Sequence, residues 1–201
     1  MNQQPKIKAV LFDIDGVILE KNPFSKRLSQ EFNVPMEKIS PFFQKEFKLC
    51  SVGKADLKEE IKKYLADWNW QESVNEILAF WFDGEGVIDE RIIKTVNDLR
   101  EKGIKCYLVS DQEKYRAEFL LNELGLGKFF DGHFISCQVG FSKSDDKFFQ
   151  NVIGNISPIV PQEIMFWDDD KKNIEPAKKL GIDARFYQNF DEFKKEINKI
   201  L

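Results

Sequence analysis

The stretch VLFDIDGVILE (residues 10–20) begins with three apolar residues and continues into two aspartates, Asp13 and Asp15, followed by Gly16. Short apolar runs of this length are typical of strands that are buried on both faces of a parallel sheet. Alternate residues of an extended chain share a face, but a turn at Gly16 lets the Asp15 side chain swing away from that of Asp13. The stretch therefore predicts a buried first strand that ends in two carboxylates with different roles.

Short apolar runs and amphipathic helices alternate along most of the chain. The runs that are typical of buried strands lie at 9–12, 106–109, 134–135, 164–167 and 184–187. Apolar side chains recur at helical spacing between some of these runs, at Ile92, Ile93, Val96 and Leu99 and again at Ile174, Ala177 and Leu180. Strands that alternate with helices predict an α/β fold, here a doubly wound, Rossmann-like parallel sheet.

The segment between the first two predicted strands departs from this alternation. Its apolar residues follow helical spacing, at Leu57, Ile61 and Leu65 and at Val74, Ile77, Leu78 and Trp81. The stretch FDGEGVIDE (residues 82–90) has the glycine and acidic content of a linker. These features predict a small inserted helical cap domain at 21–83 and a Rossmann-like catalytic core formed by 1–20 and 84–201.

The composition excludes several classes of protein. Of 201 residues, 42% are hydrophobic, which is enough for one sizeable core, and the net charge of -4 provides no basic surface for nucleic acid. No apolar run reaches the about 20 residues of a membrane span. Cys50, Cys106 and Cys137 lack metal-ligand spacing, which favours buried, reduced thiols. We therefore expect a soluble, cytoplasmic protein without membrane or nucleic-acid partners, and the sequence carries no sign of its oligomeric state.

Polar residues follow the predicted strands at the end where open parallel sheets bind ligands. They are Asp13 and Asp15 after the first strand, Ser110 and Asp111 after the second, Lys143 beyond the third, and Asp168, Asp169 and Asp170 after the fourth. Carboxylates gathered at one edge of a sheet need a cation, and hard oxygen ligands favour Mg²⁺. The sequence therefore predicts a magnesium site that is open to a small phosphorylated metabolite.

Phosphoryl transfer is a reaction that needs these residue types. It depends on positioning and charge neutralisation, so a metal ion and a lysine hold the phosphoryl oxygens while a nucleophile stands in line with the leaving group. One aspartate can attack phosphorus and form an acyl phosphate, while a second carboxyl group transfers protons. Ser110 is suited to donate a hydrogen bond to the phosphate, and Lys143 is suited to offset the clustered negative charge.

Four motifs in this order resemble those of the haloacid dehalogenase-like (HAD) superfamily of hydrolases, in the branch whose cap follows the first motif. They are DIDGV (13–17), LVSDQ (108–112), GFSKSD (140–145) and FWDDDKKN (166–173). The runs DQEKYRAEFL (111–120) and LGLGKFFDGHFIS (124–136) are similar to sugar-phosphatase-type members of that branch. The resemblance implies Mg²⁺ as the cofactor, with Mn²⁺ as a possible substitute.

The resemblance also implies a role for each matching position. Asp13 would be the nucleophile and a metal ligand, and Asp15 would be the general acid and base that also lends its backbone carbonyl to the metal. Asp168 and Asp169 would supply the remaining metal carboxylate, Asp169 by direct contact and Asp168 through water or from behind the residues that touch the metal. The residues implied to bind the substrate are Ser110, Asp111 and Lys143.

Three positions depart from the motif pattern. Asp111 stands where relatives often carry asparagine, and its carboxylate would either repel the phosphate or be turned away from it. Ser144 replaces a proline that commonly follows the lysine, which leaves the choice between Lys143 and Lys147 open. Asp170 stands where serine is common and adds a negative charge beside the metal.

Together these residues predict a Mg²⁺-dependent phosphatase that hydrolyses a small phosphomonoester, such as a sugar phosphate, through an aspartyl-phosphate intermediate. A phosphomutase of the same superfamily is an alternative, because it uses the same two aspartates. A non-catalytic binding module is the other alternative, and it predicts that a principal catalytic position is lost, which is not the case here. The cap residues predicted to face the substrate are Phe42, Phe47, Lys48, Lys54 and Trp81.

Overall fold

The computed structural model of the chain describes residues 6–84 and 86–201, so residues 1–5 of the predicted core and Glu85 of the predicted linker lie outside the described residues. In these ranges five parallel strands form one sheet in the order β3-β2-β1-β4-β5. They are β1 (Ala9–Phe12), β2 (Lys105–Ser110), β3 (Gly132–Ile135), β4 (Ile164–Asp168) and β5 (Asp183–Phe186). The predicted α/β fold with a doubly wound parallel sheet is confirmed.

β1 is the central strand, and all four of its residues are fully buried. Leu11 aligns with Tyr107 of β2 on one side and with Phe166 of β4 on the other. A strand that is covered on both faces needs a continuous apolar run rather than an alternating one, which explains the sequence of β1. Each predicted apolar run lies in or overlaps a strand, and only the fifth is displaced, by one residue.

Five helices follow β1 in the described part of the chain before the sheet domain resumes. They are α1 (Phe24–Phe32), α2 (Met36–Gln44), α3 (Glu46–Cys50), α4 (Leu57–Lys62) and α5 (Val74–Asp83). They pack around an apolar cluster of their own, in which Phe24 stacks on Trp81 with ring centroids 4.4 Å apart. This separate cluster supports the predicted division into a core and a cap, which stays a prediction. We call residues 21–83 the cap below.

The other helices cover both faces of the sheet. They are α6 (Glu90–Glu101), α7 (Lys114–Glu118), α8 (Ser136–Val139), α9 (Asp146–Asn155), α10 (Lys171–Lys179) and α11 (Phe190–Ile197). Val10 and Phe12 of β1 pack in one cluster with apolar residues of α6 and α11, whereas Ala9 and Leu11 pack with α9 and α10. None of the helices in the described ranges is long and apolar enough to cross a membrane.

Two chain segments join the cap to the core and are hydrogen-bonded to each other. The N–H of Glu20 donates to the carbonyl oxygen of Val87 at 3.2 Å, and the N–H of Asp89 donates to that of Ile18 at 2.8 Å. A Cβ on Gly86 would lie 1.8 Å from the carbonyl oxygen of Glu20, so this approach needs glycine. The cap therefore leaves the core at the carboxyl end of β1.

The three cysteines are free thiols within the fold. Cys50 and Cys106 are buried, and Cys137 is half-buried. Burial raises the pKa of Cys50 and Cys106 to about 12 and that of Cys137 to about 11. None of the three is therefore a reactive thiolate at neutral pH, in agreement with the expectation of inert thiols.

Asp131 ties the start of β2 to the segment before β3. Its carboxylate accepts hydrogen bonds from the N–H of Cys106 at 2.9 Å, from Arg100 Nε at 3.1 Å and from Lys105 Nζ at 3.1 Å. Burial acts to raise the pKa of Asp131, but these donors outweigh it and lower that pKa. The ionised form therefore stabilises the fold above the pKa of about 3.9 of free aspartate, and this stabilisation is lost as the pH falls through the lower folded-state pKa.

Asp131→Asn is expected to lower the free energy of unfolding by about 1–3 kcal/mol at pH 7, because two ionic donors and one N–H lose a charged acceptor. The loss should shrink as the pH falls through the lowered pKa of Asp131, because the wild-type carboxylate then becomes protonated as well. Urea unfolding at pH 7 and over an acidic series measures this difference. Asp98→Asn removes a more exposed carboxylate from α6 as a control, and equal losses in both variants would contradict the assignment.

Candidate active site

The carboxyl ends of β1, β2 and β4 meet where the order of the strands reverses. The chain runs from β1 to β2 and β3 on one side of β1 and then crosses to β4 and β5 on the other. Asp13 follows β1 directly, while Ser110 and Asp168 are the last residues of β2 and β4. Open α/β sheets bind ligands in the crevice at such a reversal. The fold thus brings the predicted residues from separate strand ends to one place.

The Asp13 carboxylate is held by three groups that converge on its Oδ1 atom. Ser110 Oγ donates to it at 3.1 Å, the N–H of Ile14 donates at 2.8 Å, and Lys143 Nζ lies 2.6 Å away. Burial raises the pKa of Asp13 to about 7, although Lys143 acts to lower it. A carboxylate held in this way has the fixed orientation that a nucleophile needs, and a further cation beside it would favour its charged form.

Lys143 is the lysine that the structure places in this site. Its buried ammonium lies 2.6 Å from Asp13 Oδ1 and 2.7 Å from Asp168 Oδ2. Burial alone lowers the pKa of Lys143, but the carboxylates of Asp13 and Asp168 outweigh burial and raise that pKa. The other candidate, Lys147, is exposed, and its ammonium lies 5.0 Å from the centre of the Phe141 ring.

Three carboxylates come close enough together to share a cation. Asp13, Asp168 and Asp169 each place one oxygen within 4.8 Å of the others. Asp168 is fully buried and accepts hydrogen bonds from Asn173 Nδ2 at 3.1 Å and from the N–H of Asp170 at 2.7 Å. The buried Oδ1 of Asn173 has no hydrogen-bond partner within the described ranges. A hydrated cation in this place would supply the missing donor.

The cavity beside these carboxylates suits a divalent cation together with an anionic group. Its volume is about 130 Å³, and the described residues that line it include five aspartates and three lysines. Carboxylate oxygens, an excess of negative charge and an unpartnered amide oxygen are what Mg²⁺ and its bound water require. The side chains that would hold the ion are those of Asp13, Asp168 and Asp169, and these residues fit it.

Of the three positions that depart from the motif pattern, two accept backbone hydrogen bonds. Asp111 Oδ1 accepts a hydrogen bond from the N–H of Lys143 at 2.9 Å, so this carboxylate is turned toward the loop that carries the lysine. Ser144 is exposed in the same loop. Asp170 begins α10 by accepting a hydrogen bond from the N–H of Lys172 at 3.1 Å. Asp111 also lines the cavity, and its contact with a substrate stays a prediction.

Asp15 turns away from Asp13 and meets a different cation. Gly16, which directly follows Asp15, has a φ of +81°. A Cβ at this position would lie 2.1 Å from Asp169 Oδ2, so the turn needs glycine. Arg116 Nη1 donates to Asp15 Oδ2 at 2.9 Å, and Nη2 donates to Oδ1 at 2.7 Å. Burial alone raises the pKa of Asp15, but Arg116 and Gln112 outweigh it and lower that pKa to about 2.

The site contains three further residues that were not predicted from the sequence, namely Gln112, Arg116 and Lys21. Gln112 Nε2 donates to Asp15 Oδ2 at 2.7 Å, and the Lys21 ammonium pairs with Asp169. One signal was available, because Gln112 and Arg116 both lie in the run DQEKYRAEFL (111–120), directly after the predicted second strand. No comparable signal exists for Lys21, whose partner belongs to the opposite end of the sequence.

A larger cavity of about 280 Å³ lies between the cap and the core. On the cap side it is lined by the aromatic rings of Phe43, Phe47 and Trp81, and on the core side by Asp15 and Arg116. Rings suit the apolar faces of a carbon chain or sugar, while the charged groups suit its hydroxyls. The cavity is therefore suited to the leaving group of a phosphate ester.

Of the cap residues predicted to face the substrate, Phe47 and Trp81 line this cavity, and their contact with a substrate stays a prediction. The prediction is wrong for Phe42, which is fully buried in the apolar cluster of the cap. Lys48 and Lys54 are exposed and do not line the cavity. These side chains point elsewhere because several short helices, rather than one long helix, build this part of the cap.

Lys21→Met is expected to tighten Mg²⁺ binding by about three- to tenfold. The Lys21 ammonium pairs with Asp169, so a bound cation has to compete with it for the carboxylate. Isothermal titration calorimetry with Mg²⁺ measures the change, with Lys26→Met as the control, since Lys26 is an exposed lysine nearby on α1. Weaker binding by the Lys21 variant would show that this lysine supports the metal site instead of competing with the metal.

Comparisons with known proteins place these features in a family. A family model of the haloacid dehalogenase-like hydrolases matches residues 7–181. The chain is 26% identical to the D-ribitol-5-phosphate phosphatase of Bacteroides thetaiotaomicron, over 97% of this chain and 98% of the relative. It is 23% identical to a phosphorylated carbohydrates phosphatase of Thermotoga maritima, over 88% of this chain and 83% of the relative.

A solved structure shows the same fold. It is that of a HAD family enzyme from Bacteroides thetaiotaomicron in complex with magnesium and inorganic phosphate. The TM-score is 0.77 at 20% identity, with 93% of this chain and 98% of that chain covered.

The fold and the site define an α/β protein whose carboxylates gather at the strand ends of a Rossmann-like sheet. The chain belongs to the haloacid dehalogenase-like hydrolase family, since the family model covers most of its length. The predicted family and the predicted class of enzyme, a hydrolase, are confirmed. The curated relatives named above are phosphatases, in agreement with the reaction predicted from the motifs.

Proposed function

We propose that the chain is a Mg²⁺-dependent phosphatase that hydrolyses a small sugar or polyol phosphate through an aspartyl-phosphate intermediate on Asp13. One observation carries the proposal: Asp13 is fixed by Ser110 and Lys143 within the cluster of three carboxylates. The names of the two phosphatase relatives support the substrate class. The aromatic lining of the cavity between cap and core supports it as well.

In the first half of the reaction the Asp13 carboxylate attacks phosphorus, and the bond between phosphorus and the bridging oxygen breaks. Ser110 Oγ and the Lys143 ammonium lie beside the Asp13 carboxylate, where they would hold the phosphoryl group. Asp15 would give its proton to the departing oxygen. A phosphate anion next to Asp15 raises its pKa and so opposes the effect of Arg116, which favours the protonated form at this step.

In the second half a water molecule attacks phosphorus, Asp15 takes a proton from that water, and the bond between phosphorus and Asp13 breaks. Inorganic phosphate leaves and Asp13 is again a carboxylate. When bound, Mg²⁺ supplies positive charge that neutralises the phosphoryl oxygens. The cap would keep other water away from the acyl phosphate, because it covers the strand ends on one side.

The test is phosphate release from a panel of sugar, polyol and aryl phosphates with Mg²⁺ and again with EDTA. We expect release that requires Mg²⁺ and that is largest for one or a few sugar or polyol phosphates. The phosphomutase alternative predicts little release and a requirement for a sugar bisphosphate instead. A folded protein that binds Mg²⁺ and releases phosphate from no ester would contradict the proposal, and addition of a sugar bisphosphate would then separate the phosphomutase from the binding module.

A further inference from the structure

Asp15 lies where two cavities meet. The cavity of about 130 Å³ contains Asp13 and Lys143, and the cavity of about 280 Å³ contains the aromatic side chains of the cap. Asp15, Lys21 and Asp111 line both. In a phosphate ester bound across them, the bridging oxygen has to lie at this boundary. The orientation of the Asp15 carboxylate therefore decides whether it can reach the oxygen that needs a proton.

The side chains of Arg116 and Gln112 hold the Asp15 carboxylate through hydrogen bonds. The guanidinium of Arg116 contacts both oxygens, at 2.9 Å and 2.7 Å, and Gln112 Nε2 contacts Oδ2 at 2.7 Å. A planar guanidinium that meets a carboxylate with two nitrogens sets its plane as well as its distance. Asp15 keeps a third of its side-chain surface exposed, whereas Arg116 is almost completely buried. The carboxylate thus faces the cavity, and Arg116, which also lines the larger cavity, holds it from a largely buried position.

Hydrogen bonds link the residues that hold Asp15 to the proposed nucleophile, Asp13. Arg116 Nη1 donates to Gln112 Oε1, and Gln112 Nε2 donates to Ser110 Oγ at 2.9 Å. Ser110 Oγ in turn donates to Asp13 Oδ1 at 3.1 Å. A chain of hydrogen bonds therefore runs from Asp15 to Asp13 and sets the two carboxylates relative to each other.

We propose that Arg116 is a positioning residue, which holds Asp15 in place for proton exchange with the bridging oxygen and with the attacking water. The proposal rests on the proposed phosphatase function. Arg116 acts through Asp15 and exchanges no proton itself, because a guanidinium stays protonated in proteins. Displacing a catalytic group by about 1 Å is enough to cost about 10²-fold in rate. Loss of Arg116 should therefore act on proton transfer to the leaving group more than on binding.

The experiment compares two esters in a double-mutant cycle of Arg116→Gln and Asp15→Asn. A sugar or polyol phosphate from the panel needs a proton on its leaving oxygen, whereas p-nitrophenyl phosphate has a leaving group that departs without one. We expect Arg116→Gln to lower kcat/KM about 10²-fold for the first ester and less than about tenfold for the second, mainly through kcat. The double variant should lose no more than Asp15→Asn alone, because Arg116 acts through Asp15.

Two further variants distinguish the positioning of Asp15 from the charge of Arg116 and from a general loss of stability. Arg116→Lys keeps the charge without the two-nitrogen contact and should recover only part of kcat. Arg185→Gln removes a comparable two-nitrogen contact with Asp183 away from both cavities and should leave the ratio of the two esters unchanged. Thermal unfolding of each variant checks that it is folded.

Equal losses for both esters, or losses that multiply in the double variant, would overturn the role of Arg116 while wild-type hydrolysis still supported the proposed function. Wild-type protein that hydrolyses neither ester with Mg²⁺ would instead overturn the proposed function and this inference with it. An Arg116→Gln protein as active as wild type on the sugar or polyol ester would overturn the inference alone. The three results are distinguishable because the wild-type rate and the variant ratios are measured in the same assay.

Discussion

Replacing Asp13 by asparagine is expected to lower phosphate release by about 10⁴-fold or more, because the amide oxygen cannot form the aspartyl phosphate. The variant should still fold. Burial raises the pKa of Asp13 to about 7, so the folded protein tolerates a neutral group at this position better than it does a charged one without a metal. Lys143 keeps Asp168 as a partner at 2.7 Å. Phosphate release and thermal unfolding of the same preparation test both expectations.

Asp145→Asn is the matched control for this variant. Asp145 begins α9 by accepting a hydrogen bond from the N–H of Lys147 at 2.9 Å, a function that asparagine also performs. It does not line the cavity that contains Asp13, so its replacement should leave activity and thermal unfolding unchanged. An Asp13→Asn protein that kept more than about one part in a hundred of the activity would show that another group attacks phosphorus.

The fold was predictable because its main determinants are local in the sequence. β1 and β4 are buried along their whole length and β2 over its last three residues, and each appears as a short apolar run followed by polar residues. Once those runs are placed in a parallel sheet, their ends have to meet at one edge. This rule was enough to bring Asp13, Ser110 and Asp168 together without any knowledge of side-chain positions.

The contacts of Asp15 and the lining of the cap could not be predicted in the same way. Arg116 lies 101 residues from Asp15, and their pairing depends on where α7 begins relative to the turn after β1. In the cap, the helix that carries Phe42 is interrupted at Lys45, where φ is -125° and ψ is -76°. The interruption changes the helical phase, so Phe47 lines the cavity, whereas Phe42, whose ring centroid lies 6.0 Å from that of Phe47, is fully buried behind it. Periodicity alone does not show such an interruption.

Replacing Lys143 by methionine is expected to affect activity and stability together. Its ammonium lies between two buried carboxylates, at 2.6 Å from Asp13 and 2.7 Å from Asp168. Removing one partner of a buried ionic cluster costs about 3–5 kcal/mol, because charges are left without compensation. Losing a cation that faces the phosphoryl group should lower kcat about 10²- to 10³-fold. Urea unfolding and phosphate release measure the two effects.

Lys147→Met is the control, because Lys147 is exposed four residues further along and was the other lysine predicted from the motif. It should match wild type in both measurements.

Mg²⁺ should stabilise the Lys143 variant more than wild type, since the cation then replaces the missing charge between carboxylates that repel each other. If Mg²⁺ raised the unfolding temperature of both proteins equally, Lys143 and the metal would not share these carboxylates. An inactive Lys147 variant beside an active Lys143 variant would assign the phosphate-binding role to Lys147 instead.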